Sequence, residues 1–389
     1  MTSRLVAGGL AALTVASGLL AVAAGEAAAS AVKAGYAVVN NVNLPGSYSS
    51  LPSGSAYNSH NLASPAYVKR TGPGVYKVFF AGLQPAAGET KGIAHAGSRD
   101  GSSYCATDGA ATSSEPGVPG IAISVYCHSY LGNLYDSPFA VSYAGGAEAG
   151  GLVTVRFAME QYLPPFGPAF QPLAFHSTVG GSATVTPNGG GYYTIDLPLL
   201  PGSEPATYQL TAEPGADFTG EPLTDADRYP MSCGILAATE VSSPSRQRLT
   251  VRCVGVDGQF NWIYALNVTY ARGINTIGKS IMATGYATVP LLTGPTNGLP
   301  VPGKNTIYGV SGAITVDRSG TGMYIVHFKN LSWGITKPAA FATAIGSPAR
   351  CVTMTGPAMG DEGTVFVYCR NNYFDYVDTS FAVQYLTRG

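Results

Sequence analysis

The cysteines are the residues of this 389-residue chain whose spacing points most directly to chemistry. They form three pairs separated by 22, 20 and 18 residues, namely Cys105 and Cys127, Cys233 and Cys253, and Cys351 and Cys369. Paired thiols either bind a metal or form disulfides. Zinc is the rival interpretation, but no C-x-x-C motif or Cys/His cluster accompanies these residues. We therefore predict one local disulfide in each third of the chain and no metal site.

Other residues capable of chemistry are scattered. The chain has five histidines, His60, His95, His128, His176 and His327. No His, Asp or Glu position recurs in all three thirds, and we predict that His327 lies on the solvated face of a strand. The sequence contains no H-E-x-x-H, no G-x-S-x-G nucleophile elbow and no phosphate-binding or dinucleotide-binding fingerprint. We therefore predict a protein without catalytic residues or a cofactor, and keep a secreted hydrolase with an unrecognised site as the alternative.

Two loops are candidates for ligand binding. The segment from Glu213 to Pro230 is acidic but lacks the ordered oxygen series of a calcium loop, so we expect a solvated loop. The segment Y-L-P-P-F-G-P-A-F carries Tyr162, Phe166 and Phe170. Aromatic and proline side chains on a loop can line a sugar or peptide surface, which makes these three residues candidates for ligand binding. Packing across the end of a domain is the other interpretation of the same residues.

A ten-residue sequence motif, which we call the phrase, occurs three times and identifies the strands that position these groups. It reads GVYKVFFAGL at 74–83, GYYTIDLPLL at 191–200 and GMYIVHFKNL at 322–331. Large apolar residues fall at every second position, which predicts a strand with one buried face. A turn that contains glycine, and in the first two copies also proline, precedes each copy and favours a hairpin.

Further alternating segments contain the cysteines and close each third, so about seven short strands recur per copy. We predict an all-β fold of three tandem antiparallel β-sandwich repeats, immunoglobulin-like or jelly-roll-like, over residues 32–146, 147–272 and 273–389. An aspartate precedes the closing strand at Asp136 and Asp378, where we expect a turn or strand-entry cap, whereas the middle copy has Ile263. Short linkers favour a rod-like arrangement of the three.

The motif series G-x-Y-x-V-x-F-x-x-L, then Cys, then V-x-V-x-C, then D-S-x-F-x-V-x-Y resembles uncharacterised exported triple-repeat β-domain proteins of high-GC Gram-positive bacteria. The resemblance covers all three copies and concerns the fold more than the activity. A fainter likeness is to the β-sandwich heads of phage tail fibres, which share the G-x-Y hairpin and the closing D-x-x-F strand. That second likeness implies a trimer that binds a receptor.

The beginning of the chain predicts export. Arg4 precedes an apolar run from Leu5 to Ala24, and small residues follow, so we predict a signal peptide over residues 1–31. An uncleaved membrane anchor is the alternative. Cleavage would give a secreted, extracellular protein without a membrane contact.

Composition limits the partners that this protein can have. Charged residues are 11% of the chain and the net charge is −1, which excludes a basic surface for nucleic acid. We predict a secreted, non-enzymatic structural, adhesive or binding protein. Its loops would recognise extracellular carbohydrate or a surface protein. The sequence leaves the oligomeric state open, and a subunit of a larger extracellular particle is a further alternative.

Overall fold

The computed structural model describes residues 33–61, 63, 65–85, 92–145, 151–158, 167–213, 232–255, 265–276, 283–307, 310–331, 337–356 and 361–387. The predicted signal peptide over 1–31 lies outside these residues. Within them the protein is all-β, with 27 strands and a single short 3₁₀ turn at Ser53–Ser55. No described helix is long and apolar enough to cross a membrane.

The described strands fall into thirds of the chain, residues 33–145, 151–276 and 283–387. The first third has nine: β1 (Lys33–Val39), β2 (Ser49–Ser50), β3 (Ala56–Asn58), β4 (Tyr67–Gly72), β5 (Val75–Ala81), β6 (Ile93–Ser98), β7 (Ser103–Ser113), β8 (Gly120–Ser129) and β9 (Phe139–Gly145). They form a four-stranded sheet in the order β3-β1-β9-β6 and a five-stranded sheet in the order β2-β4-β5-β8-β7.

The middle third contributes eight described strands: β10 (Gly151–Ala158), β11 (Ala174–Ser177), β12 (Thr184–Gly189), β13 (Tyr192–Pro198), β14 (Ala206–Glu213), β15 (Ser232–Ser242), β16 (Ser245–Val254) and β17 (Ala265–Arg272). Four of them form a sheet in the order β11-β10-β17-β14. The other four lie side by side as β12-β13-β16-β15 at one end of a nine-stranded sheet.

The last third contributes ten described strands: β18 (Ala283–Val289), β19 (Thr296–Pro300), β20 (Gly303–Ile307), β21 (Val310–Ser311), β22 (Ile314–Gly320), β23 (Met323–Lys329), β24 (Ala339–Ile345), β25 (Arg350–Thr355), β26 (Glu362–Arg370) and β27 (Ser380–Thr387). The strands β24-β27-β18-β20-β21 complete the nine-stranded sheet. A five-stranded sheet follows the order β19-β22-β23-β26-β25.

The described strand pairs are antiparallel except one. Strands β15 and β24 run parallel and meet through a single pair, Ile235 and Ile345. The main-chain N–H of Gly346 also donates to the carbonyl of Ile235 at 2.7 Å. This short contact joins strands of the middle and last thirds into one sheet.

The predicted cysteine pairing is confirmed. In each third the two cysteines lie directly opposite each other on neighbouring antiparallel strands, with Cα–Cα distances of 4.0, 4.1 and 4.0 Å. No cysteine is free among the described residues. Each second cysteine also donates its main-chain N–H to the carbonyl of the first glycine of the phrase, which is Gly74, Gly191 or Gly322. The disulfide and the phrase strand are thereby fixed to one another.

The phrase forms β5, β13 and β23, and its even positions are buried as predicted. Tyr76, Val78 and Phe80 are fully buried, and the corresponding residues of the other two strands are at most 5% exposed. Three hydrophobic clusters result, one in each third, and each is contributed by strands of two different sheets. Packing of large residues from two facing sheets is the usual source of stability in such β proteins.

A fourth cluster joins the thirds. It contains residues of all three, namely Ala34, Tyr36, Val38, Tyr57, Ala140, Ala144, Leu152, Ala271, Ala339, Phe341 and Leu386. These residues alternate with the core residues along β1, β9, β10, β17, β24 and β27, so those strands bury both faces. The structure therefore differs from the rod that short linkers favour. The physical reason is that the second face of these strands is apolar and is buried only when the thirds pack together.

Candidate functional site

The two aspartates that precede the closing strands each form a polar cluster that we call an Arg–Asp clamp. In the first third, Asp136 accepts two hydrogen bonds from Arg70, at 3.0 and 2.7 Å. It also accepts the main-chain N–H of Gly74 at 2.8 Å and the hydroxyl of Tyr76 at 2.7 Å. The carboxylate therefore connects the turn, the phrase strand and the closing strand.

The last third repeats this arrangement. Asp378 accepts two hydrogen bonds from Arg318 at 3.0 and 2.7 Å, the N–H of Gly322 at 2.9 Å and the hydroxyl of Tyr324 at 3.0 Å. Gly74 and Gly322 have φ angles of 66° and 65°, and a Cβ there would lie 2.5 Å from a cysteine carbonyl oxygen. Only glycine places its N–H against the carboxylate in this way.

These contacts change the ionisation of the clamp residues. The Arg70 guanidinium, helped by Tyr76 and Gly74, lowers the pKa of Asp136 to about 2. Arg318 likewise lowers the pKa of Asp378. Burial and the adjacent carboxylate raise the pKa of Tyr324 to about 12, and they raise the pKa of Tyr76 as well. The two carboxylates are thus ionised at neutral pH and hydrogen-bonded to the turn and to the phrase strand.

Two of the histidines are held by neighbouring polar groups. His95 is buried, and its two ring nitrogens lie 2.9 and 2.8 Å from the hydroxyls of Thr211 and Thr269. His327 is half-buried between two carboxylates, with Nε2 at 3.1 Å from Asp317 and Nδ1 against Glu362. The described residues contain no cluster of three His, Cys, Asp or Glu side chains suited to a metal ion.

The structure describes one of the three predicted ligand-binding residues. Tyr162 and Phe166 lie outside the described residues. Phe170 is half-buried, and its main chain exchanges two hydrogen bonds with Val185, at 2.9 and 3.0 Å. Its ring meets that of Phe157 edge-on at a centroid distance of 6.3 Å. Phe170 thus packs against the hydrophobic cluster of the middle third, and ligand binding at this loop stays a prediction.

A different group of aromatic residues faces solvent. The loops that follow β8 and β26 carry Tyr130, Tyr135 and Tyr373, which are 51%, 49% and 63% exposed, and Leu131, which is 68% exposed. Tyr130 meets Phe374 edge-on at 5.9 Å, so the two loops touch. We call residues 130–135 and 371–376 together the loop surface. It combines exposed aromatic rings with the exposed amide of Asn133.

The loop surface rests on a layer of stacked rings and arginines. Arg350 lies 4.2 Å from the ring centroid of Tyr104 and 5.8 Å from that of Phe374, and burial lowers its pKa. Arg370 lies 4.4 Å from the centroid of Tyr376 and donates to its hydroxyl at 2.6 Å. This layer holds the loops of the first and last thirds in fixed positions.

The main chain of Phe374 is strained. Its φ angle is 66°, in the left-handed region that large side chains rarely adopt, whereas the corresponding position of the first loop is Gly132 with a φ angle of 89°. Strain of this kind costs about 1–3 kcal/mol and is concentrated at functional sites. A phenylalanine where glycine suffices indicates a role for its ring.

The amino-acid sequence carries a signal for the loop surface that catalytic motifs do not reveal. Aromatic residues follow the second cysteine in the first and last thirds, as H-S-Y-L-G-N-L-Y-D and R-N-N-Y-F-D-Y-V-D. The middle third has V-G-V-D-G-Q-F-N-W-I-Y after Cys253, a stretch that includes Phe260 and Trp262. An aromatic-rich stretch therefore follows the disulfide in each third, and its recurrence could have identified the surface.

Comparison with known proteins gives no relative for the chain: no family model, no curated protein and no solved structure matches it.

Proposed function

We propose that this is a secreted, non-enzymatic protein that binds carbohydrate at an extracellular surface. Its framework would be three tandem β-sandwiches over residues 32–146, 147–272 and 273–389, exported by a signal peptide over 1–31. Three observations support the framework. Each third has its own hydrophobic cluster, each cluster is built from two sheets, and each third has one local disulfide.

The observation that carries the binding proposal is the loop surface. Exposed tyrosines offer flat apolar faces with a polar edge, which suit the alternating C–H faces and hydroxyls of a sugar. Monomeric soluble proteins seldom expose several large apolar side chains together without a function. The ring of Tyr130 packs edge-on against Phe374, which itself lies over Arg350, so little conformational entropy of this ring is lost on binding.

Glycan-array and cell-wall pull-down binding would test the proposal on the exported chain. We expect the double variant Tyr130→Ala/Tyr373→Ala to lose binding about tenfold or more, since stacking on each ring contributes roughly 1 kcal/mol. Leu291→Ala is the matched control, because Leu291 is 54% exposed but lies on a different loop. A second arm with Tyr162→Ala and Phe166→Ala tests the loop predicted from the sequence. Binding that survives loss of both loop-surface tyrosines would contradict the proposed site.

A hydrolase remains the second candidate, and one observation favours it. His327 between Asp317 and Glu362 resembles an imidazole oriented by carboxylates. Thr315 and Thr364 are its cross-strand neighbours, so a hydroxyl side chain is available nearby. Turnover of a glycoside or ester panel that disappears in His327→Ala would establish this alternative. Absence of turnover, together with glycan binding, would support the binding protein and contradict the hydrolase.

A further inference from the structure

A groove lies between the first and middle thirds, away from the loop surface. Its floor is the outer face of the sheet β2-β4-β5-β8-β7, and its wall is formed by β10 and β11 with the residues just before β11. Its volume is about 660 Å³, which is in the range of sites for small organic ligands. The side chains that give the groove its shape and charge are those of Lys77, Ala122, Ser124, Arg156, Leu173 and Phe175.

The floor of the groove is open where β8 carries the small side chains of Ala122 and Ser124. Opposite residues on β5 and β8 form the pairs Lys77–Ser124 and Phe79–Ala122. Counting from the first glycine of the phrase, the corresponding pairs of the middle third are Thr194–Thr250 and Asp196–Arg248, and those of the last third are Ile325–Phe366 and His327–Thr364. Arg248, which pairs with Asp196, stands in the middle third where the first third has Ala122. Phe366 stands in the last third where the first third has Ser124.

Two cations from different thirds line the groove. Lys77 is exposed on the floor, and Arg156 comes from β10 on the opposite side. The Arg156 guanidinium lies against Gly109, where a Cβ would come within 3.3 Å of it, and Gly109 has a φ angle of 103° in a bulge of β7. A larger residue at this position would displace the guanidinium from the edge of the groove.

The lining as described contains no carboxylate. The carboxylate of Glu115 forms an ion pair with Lys69 at 2.8 Å, and the charges of Lys69 and, to a smaller extent, Lys77 lower its pKa. The remaining groups are hydroxyls such as that of Ser124 and an apolar wall that includes Phe175 and Leu173, the latter 67% exposed. Cations and hydroxyls beside an apolar wall suit a ligand with negative charge, many hydroxyls and flat C–H faces.

We propose that this groove binds an acidic oligosaccharide, with a sugar carboxylate held by Lys77 on the floor and a ring face packed on the wall at Phe175. This site rests on the proposed carbohydrate-binding function but uses a surface separate from the loops. The groove would select its ligand by negative charge, whereas the loop surface carries mainly aromatic groups.

Calorimetric titration of the whole chain with trigalacturonic acid, and with its methyl ester as the uncharged match, tests the site. We expect the acid to bind about tenfold more tightly than the ester, and added salt to weaken the acid alone. Lys77→Gln should reduce the affinity for the acid about tenfold, because one charged hydrogen bond is lost. Ser124→Phe should abolish binding, because it places in the first third the residue that fills this position in the last third.

The loop-surface variant Tyr130→Ala/Tyr373→Ala separates the groove from the loop surface. We expect it to bind trigalacturonic acid as the unmodified chain does. Thermal unfolding checks that Lys77→Gln and Ser124→Phe are folded, and Lys77→Gln changes only an exposed side chain. Equal affinity for acid and ester, or unchanged affinity in both groove variants, would overturn the proposed site whatever the loop surface binds.

Discussion

The first and last thirds of the chain stabilise their disulfide ends with an Arg–Asp clamp, whereas the two corresponding sequence positions of the middle third carry no charged residue. Its residues at the two clamp positions are Pro187 in place of the arginine and Ile263 in place of the aspartate. Both members of the ion pair are therefore missing together. Loss of only one would leave a charge beside the phrase tyrosine without its partner, which is more costly than losing both.

The middle third also forms hydrogen bonds to both of its neighbours. His95 of the first third bonds to Thr211 and Thr269, and Asn267 donates to the carbonyl of Ala94 at 3.2 Å. On the other side, Ser232 donates to the carbonyl of Pro348 at 2.6 Å. Similar sheets can thus be stabilised from within by a polar cluster or from outside by packing. This difference makes the stability of the three thirds separately testable.

The largest effect is expected from removing the middle disulfide. Cys233→Ala/Cys253→Ala should lower the free energy of unfolding by about 3 kcal/mol, because the unfolded chain regains the freedom of a closed loop. Since the middle third lacks the residues of a clamp, we expect β13 and β16 to open first. Hydrogen exchange followed by mass spectrometry measures this local opening.

Cys105→Ala/Cys127→Ala is the matched control for that experiment. It removes a bridge of similar loop length from a third that keeps its clamp. We expect a similar global cost but less local exchange in β5 and β8. Equal local opening in the two variants would mean that the clamps do not protect the strands they join.

The second effect is the pH dependence of stability at the contact between the first and middle thirds, where His95 is buried. Burial lowers the pKa of His95 from 6.5 to about 3, so the folded protein keeps this imidazole neutral. The unfolded chain takes up a proton near pH 6.5 and the folded chain does not. Stability should therefore fall as the pH drops from about 6.5 towards 3. Urea unfolding at pH 7 and pH 4.5 measures the loss.

His95→Gln provides the control, since an amide can bond to both threonines without titrating. We expect this variant to lose less stability than the unmodified protein between pH 7 and pH 4.5. The additional loss in the unmodified protein should appear as faster exchange in β14 and β17. An identical pH dependence in both proteins would remove His95 from this explanation.

The third effect is the contribution of the clamps. Asp136→Ala should cost about 1–2 kcal/mol, because the buried Tyr76 hydroxyl and the Gly74 N–H lose their acceptor. Asp378→Ala should cost a similar amount. Asp196→Asn is the control, because it weakens the exposed Arg248–Asp196 pair of the middle third, which should contribute about 0.5 kcal/mol.

The clamps also predict a loss of stability in acid, at a lower pH than the loss due to His95. The pKa of Asp136 is lowered in the folded state, so its contribution is present above the usual carboxylate pKa near 4 and is lost as the pH falls towards about 2. Asp136→Asn/Asp378→Asn should flatten the stability profile in that window. A profile that stays as steep would mean that other carboxylates govern unfolding in acid.

The all-β class, the phrase strands and the disulfides could be predicted from the sequence, because alternation of apolar residues and cysteine spacing are local signals. The expectation of about seven strands in each third was too low, since the described residues hold nine, eight and ten. Asp136 and Asp378 were noticed, but their partners lie about sixty residues away and were not identified. The packing of the thirds against one another could not be predicted. Residues such as Ala34 and Tyr36 in β1 are equally compatible with a strand at the edge of a sheet and with a strand buried between two thirds. The loop surface and the groove depend on which residues meet across thirds, and local periodicity carries no such information.

The smallest effect is expected from placing the two charged residues of a clamp at the corresponding sequence positions of the middle third. Pro187→Arg with Ile263→Asp would place an arginine opposite Tyr193, the counterpart of Tyr76 in the middle third, and an aspartate at the sequence position that corresponds to Asp136. We expect the pair to be coupled by about 0.5 kcal/mol, with each single change neutral or destabilising because it adds an uncompensated charge. Chemical unfolding of the four proteins of the double-mutant cycle measures this coupling. Additive single effects would show that the clamp needs more than its two charged residues, and Gly190, which stands where the first third has Pro73, would then be the next position to change.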